Sequence, residues 1–253
     1  MLTISLMNQK GGAGKSTVAR ALLSAADARG MRCAFIDADQ TGNLANWAMR
    51  ASKNGLWSPR IDGYQSIDPD EVEDIVDEIE AEKEIELLII DTAGDASRDH
   101  DSIATVTDLV LCPILLAKSD LDTARGTANY LFRMRGRAKD PALLPDFRIA
   151  LNQVTPRATK GDAELIRTIH THLLVGQSDD DLVEHMKILP ATLQKREAYR
   201  TMDFEGLLGR KLARHNETTQ AFRHNPKHLT DAIAEADVVL DACLQILKER
   251  SKT

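Results

Sequence analysis

The stretch "LTISLMNQKGGAGKSTVARALL", residues 2–23, decides the fold. Residues 2–7 form a short apolar run of strand length, and the residues after Lys15 carry helical periodicity. Between them Gly11, Gly12 and Gly14 free the backbone to curl, so that its N–H groups, with that of Ala13, point inward at a phosphate. The helix beginning near Lys15 adds the positive end of its dipole. A strand, a glycine loop closed by Lys-Ser-Thr and a following helix are the context that a phosphate-binding loop requires. On this reading Lys15 reaches the β and γ phosphates of a nucleoside triphosphate, Ser16 ligates Mg²⁺ and Thr17 hydrogen-bonds a nearby phosphate oxygen. Lys10 is a second lysine that this chemistry does not require.

Outward from the loop, apolar runs recur at "RCAFID" (32–37), "ELLIID" (86–91), "LVLCPI" (109–114) and "FRIALN" (147–152). Each has the composition of a strand buried on both faces. The expected fold is therefore a P-loop α/β protein, a mainly parallel twisted β-sheet with helices on both sides in three layers. Helices are expected at 15–29 and at 68–83, where Asp68 is the N-cap, Pro69 opens the first turn and Glu71 holds the capping-box position. The latter is acidic around a stripe of Val72, Ile75, Val76 and Ile79, a solvated face over a packed one. The tail, 226–249, is helical with Ile233, Ala236, Val239, Leu240, Cys243, Leu244 and Leu247 along one side. Its polar side lacks the basic character of a membrane-surface helix, so it should pack on the domain. Residues 174–187 read as a surface loop and short helix, and with no repeat or linker in view one domain over 1–253 is expected.

With 253 residues, 43% hydrophobic and 28% charged, the chain can bury a sizeable core. A net charge of -7 argues against a surface coated by nucleic acid but leaves room for a local basic patch. Cys33, Cys112 and Cys243 are odd in number and form no Cys-x-x-Cys pair, the pattern of reduced thiols in a cytoplasm. The N-terminus has no basic region or cleavage site of a signal peptide, and no apolar run reaches membrane-spanning length. No membrane association is expected.

The spelling K-G-G-x-G-K-[ST] over residues 10–16 resembles the deviant Walker-A box of the ParA/MinD family of partitioning and positioning ATPases. The resemblance implies ATP and Mg²⁺ as cofactors, and a homodimer that forms on ATP binding. In that family the extra lysine crosses the dimer interface to the nucleotide of the other subunit; by resemblance this is Lys10, catalytic together with Lys15. "FIDADQTGNL" (35–44) is similar to the family's second acidic box, though the proline that usually precedes Gln40 is missing. By resemblance Asp39 activates the attacking water and Asp37 supports the metal shell. "LLIIDTAG" (87–94) resembles Walker B, with Asp91 on a magnesium water and Gly94 as a switch. Asn152 matches the adenine-recognising asparagine, and Pro190 is placed with the nucleotide-binding residues. "TKGD" (159–162) imitates a guanine box but lies past the strand end, where Asp162 suits a helix cap, so adenine is preferred.

The family's jobs differ, and features outside the loop discriminate among them. The cysteines do not sit where the cluster ligands of the nitrogenase iron protein would, and the tail lacks the basic membrane-targeting face of MinD. Residues 195–227 hold eight basic residues, Lys195, Arg196, Arg200, Arg210, Lys211, Arg214, Arg223 and Lys227, against four acidic ones. Such a patch suits weak, non-specific binding to DNA phosphates, which would make the cytoplasmic protein nucleoid-associated. The absence of a helix-turn-helix ahead of the loop is similar to the small ParA proteins. Scattered segments, "NWAMRASKNGLWSPRIDGYQ" and "LPATLQKREAYRTM", also resemble the ParA-like virulence ATPase of T-DNA transfer. The resemblance implies an ATPase that segregates or positions a cargo, a plasmid first of all, with slow hydrolysis stimulated by a partner protein. The alternatives are an accessory that recruits relaxase and plasmid to a secretion pole, and the positioning of a protein cargo.

Overall fold

The computed structural model describes residues 1–94, 99–155, 160–161, 163–164, 166–167, 186–218 and 226–250. The strands are β1 (Leu2–Leu6), β2 (Cys33–Ala38), β3 (Ile61–Gln65), β4 (Leu87–Thr92), β5 (Leu109–Ile114), β6 (Asp146–Val154) and β7 (Lys187–Gln194). They form one sheet in the order β3-β2-β4-β1-β5-β6-β7, with every pairing parallel. Parallel strands need crossovers that cover both faces, which is why β2, β4 and β5 are buried at every position. Side chains alternate between two cores: Leu87 and Ile89 enter one, Leu88 and Ile90 the other.

The first core is closed by α1 (Lys15–Ala28), α2 (Asn43–Lys53), α6 (Glu197–Glu205), α7 (Leu208–Thr218) and α8 (Lys227–Arg250). The second is closed by α3 (Pro69–Glu82), α4 (Asp99–Thr105) and α5 (Lys118–Arg137). The tail helix does pack on the domain: Ala232, Ala236, Val239, Leu240 and Cys243 of α8 are buried in the same core as α1. Asp68 caps α3 as expected, accepting from Asp70 N–H at 3.1 Å. The capping box is relayed, however. Ser66 Oγ accepts from Asp68 N–H at 3.1 Å and donates to the Glu71 carboxylate at 2.6 Å. The cysteines are free and buried, and burial pushes each thiol up to about 12, so none is a ready nucleophile. Among the described residues no helix is long and apolar enough to cross a membrane.

Two strands escape a search for apolar runs because both lie at the sheet's edges. β3, "IDGYQ", alternates instead of running apolar, and β7, "KILPATLQ", contains a proline that an edge strand tolerates. The segment 174–185 and the cap at Asp162 lie outside the described residues.

Behind the first layer, Asp27 is 6% exposed and ties three elements together. It accepts from Arg210 Nε at 3.0 Å and Nη2 at 2.9 Å, and from the Ser58 hydroxyl. Removing one partner of a buried pair strands the other charge. Arg210 keeps a third of its side chain in contact with solvent, which reduces the penalty. Asp27→Ala is expected to lower stability in urea denaturation by about 2–3 kcal/mol; a loss below about 0.5 kcal/mol would show that solvent already screens the pair.

Candidate nucleotide site

β1 lies between β4 and β5, where the strand order reverses, and in open parallel sheets ligands bind outside the carboxyl ends of the strands at such a point. The loop leaving β1 is anchored before it curls. Asn8, 1% exposed, donates from Nδ2 to Pro113 O at 2.7 Å and accepts from Lys10 N–H at 2.8 Å. Gly12 and Gly14 then take φ of 79° and 97°, the left-handed region that glycine enters without penalty. A Cβ on Gly14 would lie 1.8 Å from Asn152 Nδ2, so the loop rests directly on Asn152 at the end of β6. No side chain caps the N-terminus of α1, which leaves its first-turn N–H groups to an incoming anion.

Lys15 is 8% exposed and its ammonium turns back to Asn8 O at 3.2 Å. Beside it, Asp91, one residue before the end of β4, has both carboxylate oxygens buried and unpaired among the described residues. Burial pushes its carboxyl up to about 7, while the facing Ser16 hydroxyl and Lys15 pull the other way without closing a hydrogen bond. A buried carboxylate with free lone pairs beside a serine hydroxyl fits a hard divalent cation that keeps several of its waters. Ser16 and Asp91 would hold magnesium here. Gly94 follows on the loop side: a Cβ there would lie 3.6 Å from Gly11 N and 3.7 Å from Lys15 Nζ.

Asp37 departs from the expected metal role. Its Oδ2 accepts from the N–H groups of Leu44 and Ala45, each at 2.8 Å, and Oδ1 accepts from Asp39 N–H at 3.2 Å. The carboxylate is spent on capping α2 and shaping the 39–42 loop, so it is a loop former; burial raises its pKa against those N–H bonds. Asp39 sits on that loop, its Oδ1 accepting from both N–H and Oγ1 of Thr41 at 2.8 Å. This turn, with Gly42 at φ 61°, does the work of the missing proline.

Lys10 is held within its own chain. Its ammonium pairs with Asp120 Oδ1 and donates to Ser119 Oγ at 3.2 Å. Asp120 is fully buried in the first turn of α5 and accepts from Leu115 N–H through Oδ2 at 3.0 Å. No pattern in the sequence marked Asp120, because its partner is 110 residues away.

Beside the loop a cleft of about 530 Å³ is lined by Thr17, Arg20, Asn152, Gln153, Tyr199 and Arg200, among others, and suits the base and sugar of a nucleotide. Asn152 donates its amide to Ala13 O at 3.3 Å, so it supports the loop as well as the cleft. Gln153 takes φ 53°, a left-handed turn at the strand end that places residues beyond Asn152 at the cleft. Pro190 is not brought there: it is exposed in mid-strand, and β7 reaches the cleft with Gln194 and Lys195. Arg20, which sequence reasoning passed over, is 7% exposed and pairs with Asp203 at 2.8 Å, stacking over Trp47.

The basic residues of 195–214 are mostly consumed by the fold. Arg196 pairs with Glu235, Arg200 with Glu197, Arg210 with Asp27 and Lys211 with Glu205, and Arg214 donates to Asn54 O and Gly55 O. Lys195 and Arg200 remain exposed, and Arg223 lies outside the described residues. For Arg196, Arg210 and Lys211 the expectation of a DNA surface is corrected: their guanidinium and ammonium groups are bound to carboxylates.

A parallel sheet with a glycine loop after its central strand, a lysine on each side of that loop and an orphaned carboxylate on the neighbouring strand defines a P-loop protein of the ParA/MinD ATPase fold. A model of the VirC1 protein family matches residues 1–249, and the chain belongs to that family. It is similar to protein virC1 of Rhizobium radiobacter, 24% identical over 248 residues that cover 98% of this chain and 100% of the relative. Among solved structures it is similar to the cell division ATPase MinD of Pyrococcus furiosus, with TM-score 0.62 and 16% identity, covering 97% of this chain and 99% of that one. It is also similar to pNOB8 ParA bound to nonspecific DNA, with TM-score 0.65 and 13% identity over 99% and 98% of the two chains.

Gly14→Ala adds a Cβ where Asn152 stands, at a φ that costs an alanine about 1–2 kcal/mol. ATP affinity in isothermal titration should fall at least about tenfold; an unchanged value would show that the loop adjusts without Asn152.

Proposed function

We propose that the chain is a nucleotide-switched ATPase that binds ATP with Mg²⁺, closes as a homodimer, grips DNA without sequence preference and releases it after slow hydrolysis stimulated by a partner protein. The observation that carries this reading is the unpaired Asp91 carboxylate beside Lys15 and Ser16 under an uncapped helix N-terminus. When bound, the metal neutralises charge on the β and γ phosphate oxygens. Lys15 leaves Asn8 O for those oxygens, the first-turn N–H groups of α1 take the phosphates, and Asp39 orients the attacking water through its remaining carboxylate oxygen. Lys10 exchanges Asp120 for the nucleotide of the partner subunit. The site then reads two subunits at once, and a switch of this kind needs only that the two nucleotide states differ in affinity for dimer and DNA.

The cargo is a DNA molecule. The VirC1 family match over residues 1–249 supports an accessory that brings relaxase and plasmid to a secretion pole, ahead of plasmid segregation. Shared fold with a ParA solved on nonspecific DNA supports the DNA grip. The decisive measurement is binding to an arbitrary duplex with ATP, with ADP and without nucleotide: binding should appear with ATP and weaken steeply with salt. Equal binding in all three conditions would sink the switch.

Lys10→Ala should leave nucleotide affinity of the monomer within about twofold, since Lys10 points at Asp120 and away from its own loop. It should abolish the ATP-dependent dimer in size-exclusion chromatography. Dimers at wild-type level would remove Lys10 from the interface.

A further inference from the structure

Among the described residues, a row of cations outside every ion pair lies away from residues 195–214. On α5, Arg125, Asn129, Arg133 and Arg137 recur at every fourth residue, one stripe along the helix. Asn129, Arg133 and Arg137 are exposed and Arg125 is half-buried. Among the described residues none of the three arginines enters an ion pair, and Arg137 spends only its Nε, on Arg133 O at 3.3 Å. The acidic neighbours are few: Asp122 is exposed at the helix's start, and Asp140 past its end accepts from Ala142 N–H. Asp101, facing the helix from α4, accepts from the Tyr130 hydroxyl.

An open groove of about 750 Å³ runs between this stripe and Gln9 of the phosphate loop. Gly126 and Gly136 form part of its wall. Glycine within a helix costs about 1 kcal/mol against alanine, so two of them need a reason. Gly136 opens onto free space, and a Cβ on Gly126 would lie 3.3 Å from Gln9 Oε1. Both lower the helix surface and let another backbone come close.

We propose that this face of α5 is a contact surface for the phosphates of duplex DNA; the inference rests on the reading of the chain as an ATP-gated DNA binder and assigns that role to residues outside the predicted patch. Arg125 to Arg137 span about 18 Å at the helical rise, a straight row of planar forks interleaved with neutral donors, which matches a phosphate backbone. A protein partner would want an apolar anchor. Among the described residues the exposed large apolar side chains, Met49, Ile67, Phe204 and Val238, all lie off α5, and Tyr130 in the groove is half-buried with its hydroxyl on Asp101. The same helix opens with Asp120, which holds Lys10, and packs Gly126 against Gln9. Release of Lys10 by nucleotide therefore acts on the element that carries the stripe, which couples DNA contact to ATP.

The test is fluorescence anisotropy on an arbitrary labelled duplex with ATP over a salt series, comparing wild type, Arg133→Glu/Arg137→Glu and the milder Arg133→Gln/Arg137→Gln. Both pairs should retain ATP affinity and ATP-dependent dimerisation. The charge reversal should weaken DNA binding by more than about tenfold, and both pairs should reduce the log–log salt slope by about 2 for each subunit in contact with the duplex. Wild-type affinity and slope in the double variants, with wild type binding DNA, would overturn the α5 surface alone. If wild type with ATP binds no duplex, the DNA reading and this surface fall together. Tighter binding to polyglutamate than to DNA of equal charge would overturn DNA as the occupant.

Discussion

Asp91 is a carboxylate taken out of water at the end of a central strand and left without a hydrogen-bond partner among the described residues. Burial of an unpaired carboxylate is costly, and a fold retains it where a cation relieves the cost. The surrounding architecture serves that requirement. β1 beside it delivers the glycine loop, Lys15 and Ser16 converge on it, and Asn8 and Asn152 fix the loop from two sides through β5 and β6. The sheet order brings the carboxyl ends of these interior strands together.

The distribution of charge follows from folding more than from counting. Residues 195–214 are rich in arginine and lysine, yet four of those groups close ion pairs: Arg196 ties α6 to α8, Arg210 ties α7 to α1, Lys211 ties α7 to α6 and Arg200 pairs within α6. Arg210 with Asp27 is a piece of the interior as much as of the surface. The arginines of α5 are scattered among apolar and small residues along the chain and align only when the helix forms. Local net charge is therefore a poor guide to a binding surface when acidic partners come from elsewhere in the sequence.

Much of the site was legible beforehand because local chemistry imposes it. A loop that wraps phosphate needs glycine at left-handed positions, and Gly12 and Gly14 occupy them. A strand covered on both faces needs uninterrupted apolar residues, which made β1, β2, β4, β5 and β6 visible; the edge strands β3 and β7, half-covered and carrying Gly63 and Pro190, were not. The resemblance implied a metal-shell role for Asp37, but the N–H groups at the start of α2 occupy its carboxylate. Asp120, Arg20 and Gln153 left no local trace, and Pro190 fell short of the cleft because β7 continues beyond it.

What the sequence determined by itself is the chemistry of the loop: glycine, lysine and serine at that spacing after a strand serve a nucleoside triphosphate, through backbone freedom and one helix end. Tertiary structure alone decided which charges remain available. Lys10 rests on Asp120, Arg196, Arg210 and Lys211 are bound to carboxylates, and a row of arginines on α5 enters no ion pair among the described residues, because pairing is set by distance in space and not by position in the chain.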